Sequence, residues 1–399
     1  MREAVTVLAV VLSGAEALAS PQDLSGFGAR SPALAGTGAT WADDYTAVHA
    51  NPAGLSRARR RQFTLGYAVA GFELSLGGAH VAADPGRATI IGLTLPVPLR
   101  GSLQDRVAVG VGFHTPLAVV VRGRILRPET PQYGTLVDRV QSVAVQLGAG
   151  LDLGYGVRVG GGVAALAGLT GSVLVAADAT GRASSRIDDQ LVASYAPVLG
   201  ASFERGPFSV ALTLRGSLVA RFLVTIEARD LGVTIPVLDI SGVAQYDPAQ
   251  AHLEFGYAHG GYTAALAATF KRWGAYPGPV TATTEGSPAP PAAEFVDTVV
   301  LRGALERRWA LPDGALFALR GGVFLEPTPA PTATAARAHL DNTRLALCAG
   351  VGLGAEALGT RVLLDVYVQH HTLFTRTHGD GSRYGGGAVF AGLTLGVTF

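Results

Sequence analysis

Large apolar residues fall on every second position along most of this chain, and that period restricts the fold more than any other feature. Val389, Ala391, Leu393, Leu395, Val397 and Phe399 share one parity at the C-terminus. Val107, Val109, Val111 and Phe113 alternate with Arg106, Ala108, Gly110, Gly112 and His114. Phe208, Val210, Leu212 and Leu214 alternate with Ser209, Ala211, Thr213 and Arg215. A period of two puts each large set on one face of a strand. The opposite face is mostly Gly, Ala, Ser and Thr with isolated charges. A soluble β-sandwich would bury the apolar face and wet the other. A membrane barrel turns the apolar face to lipid and the small polar face to its lumen. An apolar face that stays uniform along every strand favours the barrel.

Hydrophobic residues make up 48% of the 399, yet no run of about eighteen apolar residues follows the N-terminus, so helical spans are not expected. The balance of 31 basic and 30 acidic residues leaves no footprint for nucleic acid. Cys348, the single cysteine, excludes an intrachain disulfide and reads as a small wall residue. No GxSxG elbow, phosphate loop or HExxH motif is present, so neither an enzyme nor a cofactor is expected. His370 and His371 point to opposite faces of a strand and His378 falls in a loop, so the three read as surface histidines and no metal is expected.

The chain divides into three parts. Arg2, the apolar run Ala4 to Leu12, and Ala17-Leu18-Ala19 before Ser20 have the order of a cleavable signal peptide, residues 1–19. Residues 62–399 alternate. Short turns near Gly154-Tyr155, Arg205-Gly206, His259-Gly260, Leu311 to Gly314 and Leu358-Gly359 take turns with longer Pro-rich or polar segments, which is the barrel convention. Counting back from Phe399 gives fourteen strands: 62–81, 87–97, 105–121, 138–153, 156–177, 189–204, 207–229, 249–258, 261–273, 295–309, 314–325, 342–354, 360–373 and 385–399. The expected fold is therefore an all-β, transmembrane antiparallel barrel with both ends on one side. Phe399, closing six residues in phase, is the terminal aromatic expected of a chain assembled into an outer membrane.

Residues 20–61 do not alternate and are too small and Gly-rich to make their own core. Trp41, Tyr45, Val48 and Leu55 nonetheless need burial. The lumen is the simplest place for them, which makes this segment a plug rather than a loose periplasmic tail.

Ala35-Gly36-Thr37-Gly38-Ala39, Ala42-Asp43-Asp44 and Asn51-Pro52-Ala53-Gly54-Leu55 resemble the plug of the long-chain fatty-acid and hydrocarbon transporter family of outer-membrane barrels, the FadL/TodX type. Tyr246-Asp247-Pro248, Leu253 to Tyr257 and Lys271-Arg272-Trp273 resemble a second stretch of that family. Leu319 to Val323 with Pro327 and Pro329 resemble a third, although Glu326 stands where a small residue is usual. The resemblance implies passive transport of hydrophobic compounds, fatty acids or hydrocarbons, by a single chain in a Gram-negative, lipopolysaccharide-bearing outer membrane. Asp43, Asp44, Asn51, Pro52 and Ala53 would belong to the movable plug. A non-transporting barrel of a secretion or assembly system is the alternative.

Parity sends Arg302 and Arg320 into the lumen on strands joined by a short turn, and their guanidinium groups are expected about one register step apart. Like charges so placed call for an anion between them. A ligand carboxylate would serve, bound in a two-pronged manner. So would Glu306, Glu254 or a docked Asp43-Asp44. Arg215 and Lys271 are further candidates for the same role.

Overall fold

The computed structural model describes residues 21–117, 131–140, 143–177, 183–229, 237–278, 280–282, 292–334, 337, 339–357 and 360–399. The expected signal peptide and the turn at Leu358-Gly359 lie outside them.

Among the described residues fourteen antiparallel strands close into a barrel. They are β1 Gln62–Leu76, β2 Gly86–Pro96, β3 Val107–Pro116, β4 Ala144–Gly154, β5 Val157–Ala177, β6 Ala183–Arg205 and β7 Phe208–Arg215. They continue with β8 Gln250–His259, β9 Tyr262–Lys271, β10 Thr298–Ala310, β11 Leu316–Glu326, β12 Arg344–Ala357, β13 Thr360–Thr377 and β14 Arg383–Thr398. Each pairs with its neighbour in sequence. Closure comes from β1 against β14, with Gln62 opposite Thr398 and Leu76 opposite Tyr384. The amide of Phe399 donates to the carbonyl of Arg61 at 2.9 Å, so the terminal aromatic and the entry to β1 lie side by side. The short turns lie at this same end.

The expected strand 207–229 breaks in two. The wall strand ends at Arg215. After Gly216 the chain forms a separate pair, Leu218–Arg229 with Leu238–Asp247, and the first of these runs parallel to the far end of β5. The break falls where Gly216 lies tight against the Pro197 ring, and the Gly216 amide donates to the Pro197 carbonyl at 2.8 Å. Alternation carries on through the break, so periodicity alone reads one strand.

Outward and inward faces follow the parity. Along β10, Val299, Leu301 and Leu305 are exposed while Thr298, Val300 and Glu306 are buried. Outward aromatics gather at the short-turn end: Phe208 beside Tyr257, Trp309 stacked on Phe317, and Tyr262 under Arg307. Amphipathic rings of this kind form the girdle of barrels at a membrane–water boundary. No helix among the described residues is long and apolar enough to cross a membrane.

Candidate functional site: the occupied lumen

The chain's own N-terminal segment packs against inward-facing positions of the wall. Helix α1 Pro21–Ser25, α2 Arg30–Ala33, α3 Ala47–Ala50 and the 3₁₀ helix Pro52–Arg57 lie there. The barrel makes room with glycines on inward positions of neighbouring strands. Gly92 opposes Gly112, Gly110 opposes Gly148, Gly150 opposes Gly160, and Gly160 opposes Gly200. A Cβ on Gly92 would lie 2.2 Å from the Tyr45 ring, and one on Gly112 2.4 Å from Phe27. One on Gly160 would lie 2.3 Å from the backbone of Pro52 and Ala53. This bare strip receives Phe27, Tyr45, Val48 and Leu55, all buried in one cluster.

Asn51 fixes the 3₁₀ helix to the wall. Its Oδ1 accepts from the Ala53 amide at 3.0 Å, a helix N-cap, and Pro52 at the first position has no amide to satisfy. Its Nδ2 donates to the carbonyls of Ala201 and Leu212 at 3.1 and 3.3 Å. Asn51, Pro52 and Ala53 thus dock the segment through backbone polar groups.

Two charged networks tie the segment down at different heights. The lower centres on Glu306, which is fully buried. Arg30 reaches it with two prongs, Nε to Oε2 at 3.0 Å and Nη2 to Oε1 at 2.9 Å. Arg308 and Arg320 each donate to it at 2.7 Å, and Arg320 Nη1 reaches Asp365 at 2.5 Å. Arg30 also stacks on the Trp41 ring, 3.9 Å from its centre. The upper network centres on Asp23. Lys271, with no exposed surface, bridges Asp23 at 2.8 Å and Glu326 at 2.7 Å. Arg139 meets Asp23 at 2.6 Å, Gln250 donates to it at 2.9 Å, and Arg344 donates through Nε to Glu326 at 3.1 Å. Burial opposes the charge on Asp23, but Lys271 and Arg139 outweigh it and hold the carboxyl well below the usual carboxylate range. Between the two, Glu254 accepts from the amides of Gly38 and Thr40, each at 2.9 Å, and from the Thr40 hydroxyl at 2.7 Å.

The structure separates the four basic residues of the expected ligand site into two kinds. Arg320 and Lys271 are neutralised by carboxylates. Arg302 donates to the carbonyl of Ala35 at 2.8 Å and lies over Phe324, and Arg215 donates to the carbonyl of His49 at 2.5 Å. Neither of these two makes an ion pair among the described residues. The expected juxtaposition of Arg302 and Arg320 is not found. Phe324 stands opposite Arg302, and Arg320 opposite Glu306, four residues further along β10. Four residues of strand amount to roughly 13 Å. The turn Leu311–Ala315 sets this register, and a one-step estimate from sequence placed it differently.

Asp43 and Asp44 do not dock onto the wall arginines either. Asp43 is exposed and only approaches Arg30, at 3.7 Å. Asp44 turns back to accept from the amide of Thr46 at 2.8 Å. The docking runs in both senses: at Glu306 and Glu254 the wall contributes the carboxylate and the segment the donors, while at Asp23 the segment contributes the carboxylate and Lys271 of the wall the cation. Arg30, Asp23, Arg139 and Arg344 had drawn no attention in the sequence. Glu326 had, as a departure from the family pattern, and its partners Lys271 and Arg344 account for it.

His371 corrects the reading of the histidines as surface groups. It is fully buried, with its Nε2 3.0 Å from the Gln369 side-chain oxygen and its ring between Phe324 and Phe390. Gln369 in turn donates to the carbonyls of Ser25 and Pro32 at 2.8 Å. Among the described residues no group of three or more His, Cys, Asp or Glu is placed to hold a metal ion.

Among the described residues the cavities beside the segment are small. One cavity of about 30 Å³ is lined by Gln22, His49, Arg215, His252 and Arg302 among others, and a second of about 20 Å³ lies beside it under Gln146 and Pro248. Each has room for a small occupant, a water or an ion of similar size.

No family model matches the sequence, and no curated protein matches it. Solved structures do. A FadL homologue of Pseudomonas aeruginosa superposes with a TM-score of 0.59 at 14% identity, over 96% of this chain and 98% of that one. The toluene transporter TodX of P. putida gives 0.60 at 14% identity, over 94% and 99%. The toluene transporter TbuX of Ralstonia pickettii gives 0.57 at 17% identity, over 94% and 99%. The chain has the fold of the FadL- and TodX-type barrels over 94 to 96% of its length.

Proposed function

We propose that this chain carries hydrophobic compounds, fatty acids or hydrocarbons, passively across a Gram-negative outer membrane, and that residues 20–61 are its movable plug. One observation carries the reading. The N-terminal segment is held to the inward face of the wall by discrete polar contacts, and the cavities beside it among the described residues are of about 20 to 30 Å³. A solute passes only when the segment moves. The outward apolar face and the aromatic girdle match a bilayer, and closure of β1 on β14 completes the wall within a single chain. The barrels sharing this fold include toluene transporters and a FadL homologue, which supports small hydrophobic molecules as the cargo. Arg302 and Arg215, which make no ion pair among the described residues, are the groups to meet a carboxylate once the segment shifts.

Cys348 supplies a test. It lies in one buried cluster with Ala35 of the segment. In Ala35→Cys, oxidation should join residue 35 to Cys348 and lock the segment to β12. Labelled oleate and toluene would be offered to a transporter-deficient strain carrying this variant. Uptake should be strong when reduced, lost when oxidised and restored by reductant, while Ala35→Cys/Cys348→Ser is indifferent to oxidation. Undiminished uptake in the locked state would sink the plug mechanism. Arg302→Ala should weaken oleate uptake more than toluene uptake; equal loss would remove Arg302 from ligand recognition.

A further inference from the structure

The cavity between Arg215 and Arg302 has a composition that hydration alone does not explain. Both guanidinium groups border it, and each spends one N–H on a carbonyl of the segment, His49 for Arg215 and Ala35 for Arg302. The Nε of Arg215 has no acceptor. Gln22, only 2% exposed, lines the same cavity with neither its amide nitrogen nor its amide oxygen hydrogen-bonded.

Asp23 and Asp247 act on Arg215, and Glu326 and Asp23 on Arg302, from a distance, but none of them makes an ion pair with either arginine among the described residues. Asp23 is committed through both oxygens, to Gln250, Lys271 and Arg139. His252 is engaged by Thr269 and Glu254. Burial first, and Arg215 beside it, push the His49 imidazole well below its usual range, so it is neutral at pH 7. Buried cations are ordinarily paired, and a neutral water would leave two guanidinium groups bordering one cavity with no carboxylate in direct contact among the described residues.

We propose that a single small inorganic anion, of the charge and size of chloride, binds in this cavity against Arg215, Arg302 and the Gln22 amide. The volume of about 30 Å³ suits one such ion and excludes a carboxylate carrying a chain while the segment is in place. The site is built from both sides of the seam, with Gln22 on the segment and the arginines on β7 and β10. The anion therefore belongs to the docked state and holds the segment in. This is a property of the closed barrel and stands whether or not the cargo is a fatty acid.

Crystals of the full-length protein soaked in sodium bromide should show an anomalous peak in contact with both guanidinium groups and the Gln22 nitrogen. In detergent, chymotrypsin cleavage at Phe27 and Tyr45 should be slower in chloride than in gluconate at equal ionic strength. Protection should reach about tenfold with chloride at ten times its Kd. Arg302→Gln should abolish both the peak and the chloride dependence while the barrel keeps its heat-resistant migration; Arg302→Lys should keep the dependence. The proposal is overturned by a site without bromide, or by a bromide peak in a protein whose segment is cleaved at the same rate in both salts. Chloride protection that survives in Arg302→Gln also overturns it.

Discussion

Arg30 and Glu306 form a two-pronged ion pair between the N-terminal segment and the tenth strand of the wall, at 2.9 and 3.0 Å, across 276 positions of sequence. Parallel N–H···O bonds of this kind fix orientation as well as distance. Because Glu306 is fully buried, losing its charge also leaves Arg320 with Asp365 as its remaining carboxylate partner. Removing one partner of a buried pair costs about 3–5 kcal/mol. Glu306→Gln should therefore expose the segment, seen as faster chymotrypsin cleavage at Phe27 and Tyr45, with the barrel still folded. A double-mutant cycle with Arg30→Gln should give a coupling of about 1–3 kcal/mol. Additive effects would show that the pair is not what holds the segment.

Inward glycines should divide sharply from others. At Gly160 a Cβ would meet the Pro52 and Ala53 backbone at 2.3 Å, and backbone cannot swing aside. At Gly303, on the outward face, the nearest atom is a Leu266 methyl at 3.5 Å, an ordinary contact. Gly160→Ala should loosen the segment without unfolding the wall, and Gly303→Ala should change neither. Hydrogen exchange of residues 47–58 reads the difference directly. Equal exchange in the two variants would mean the glycine strip is not a docking floor.

The wall was legible in the sequence because it is written twice, in the period of two and in the alternation of short and long connections. Fourteen strands, the inward parity of Arg302 and Arg320, and the burial needs of Tyr45, Val48 and Leu55 followed from that. What period cannot supply is register. Whether Arg302 meets Arg320 or Phe324 depends on how the turn Leu311–Ala315 is built, and a slip of a few residues keeps the parity. The partners of the segment were hidden for a related reason. Arg30 with Glu306 and Asp23 with Lys271 are contacts of very high sequence separation, set by how an irregular segment threads a lumen. The glycines were a signal only partly read: Gly92, Gly112, Gly148 and Gly160 share inward parity on successive strands, and together they mark where a backbone lies against the wall.

Glu254 is a second test of docking that involves no salt bridge to the segment. It gathers the Gly38 and Thr40 amides, and Gly256 beside it leaves room for the Thr40 side chain. A buried donor left without its acceptor costs about 1–3 kcal/mol. Glu254→Ala orphans both amides and should speed exchange at Gly38 and Thr40 by at least about tenfold, the equivalent of 1.4 kcal/mol. Exchange unchanged at those two amides would reassign Glu254 to its neighbour His252.

Acid should act on the segment through two groups of opposite sign. Burial and the neighbouring Asp43 raise the Asp44 carboxyl from 3.8 to about 6, although Thr46 partly offsets this. The docked segment therefore holds a proton there that a released one lacks between about pH 6 and 3.8, so this group favours docking more as pH falls through that window. His49 is the reverse. Its docked imidazole lies well below the ordinary 6.5, so a released segment takes up a proton first and docking weakens as pH falls below 6.5. Each proton is worth about 1.4 kcal/mol per pH unit, so the two slopes nearly cancel from pH 6 downward. The wild-type segment should show little change in protease protection between pH 6 and about pH 5, a range above that in which Asp23 protonates in the released chain. Asp44→Asn should lose protection steadily over that interval, and His49→Gln should gain it. Slopes of the same sign in the two variants would show that neither group reports on docking.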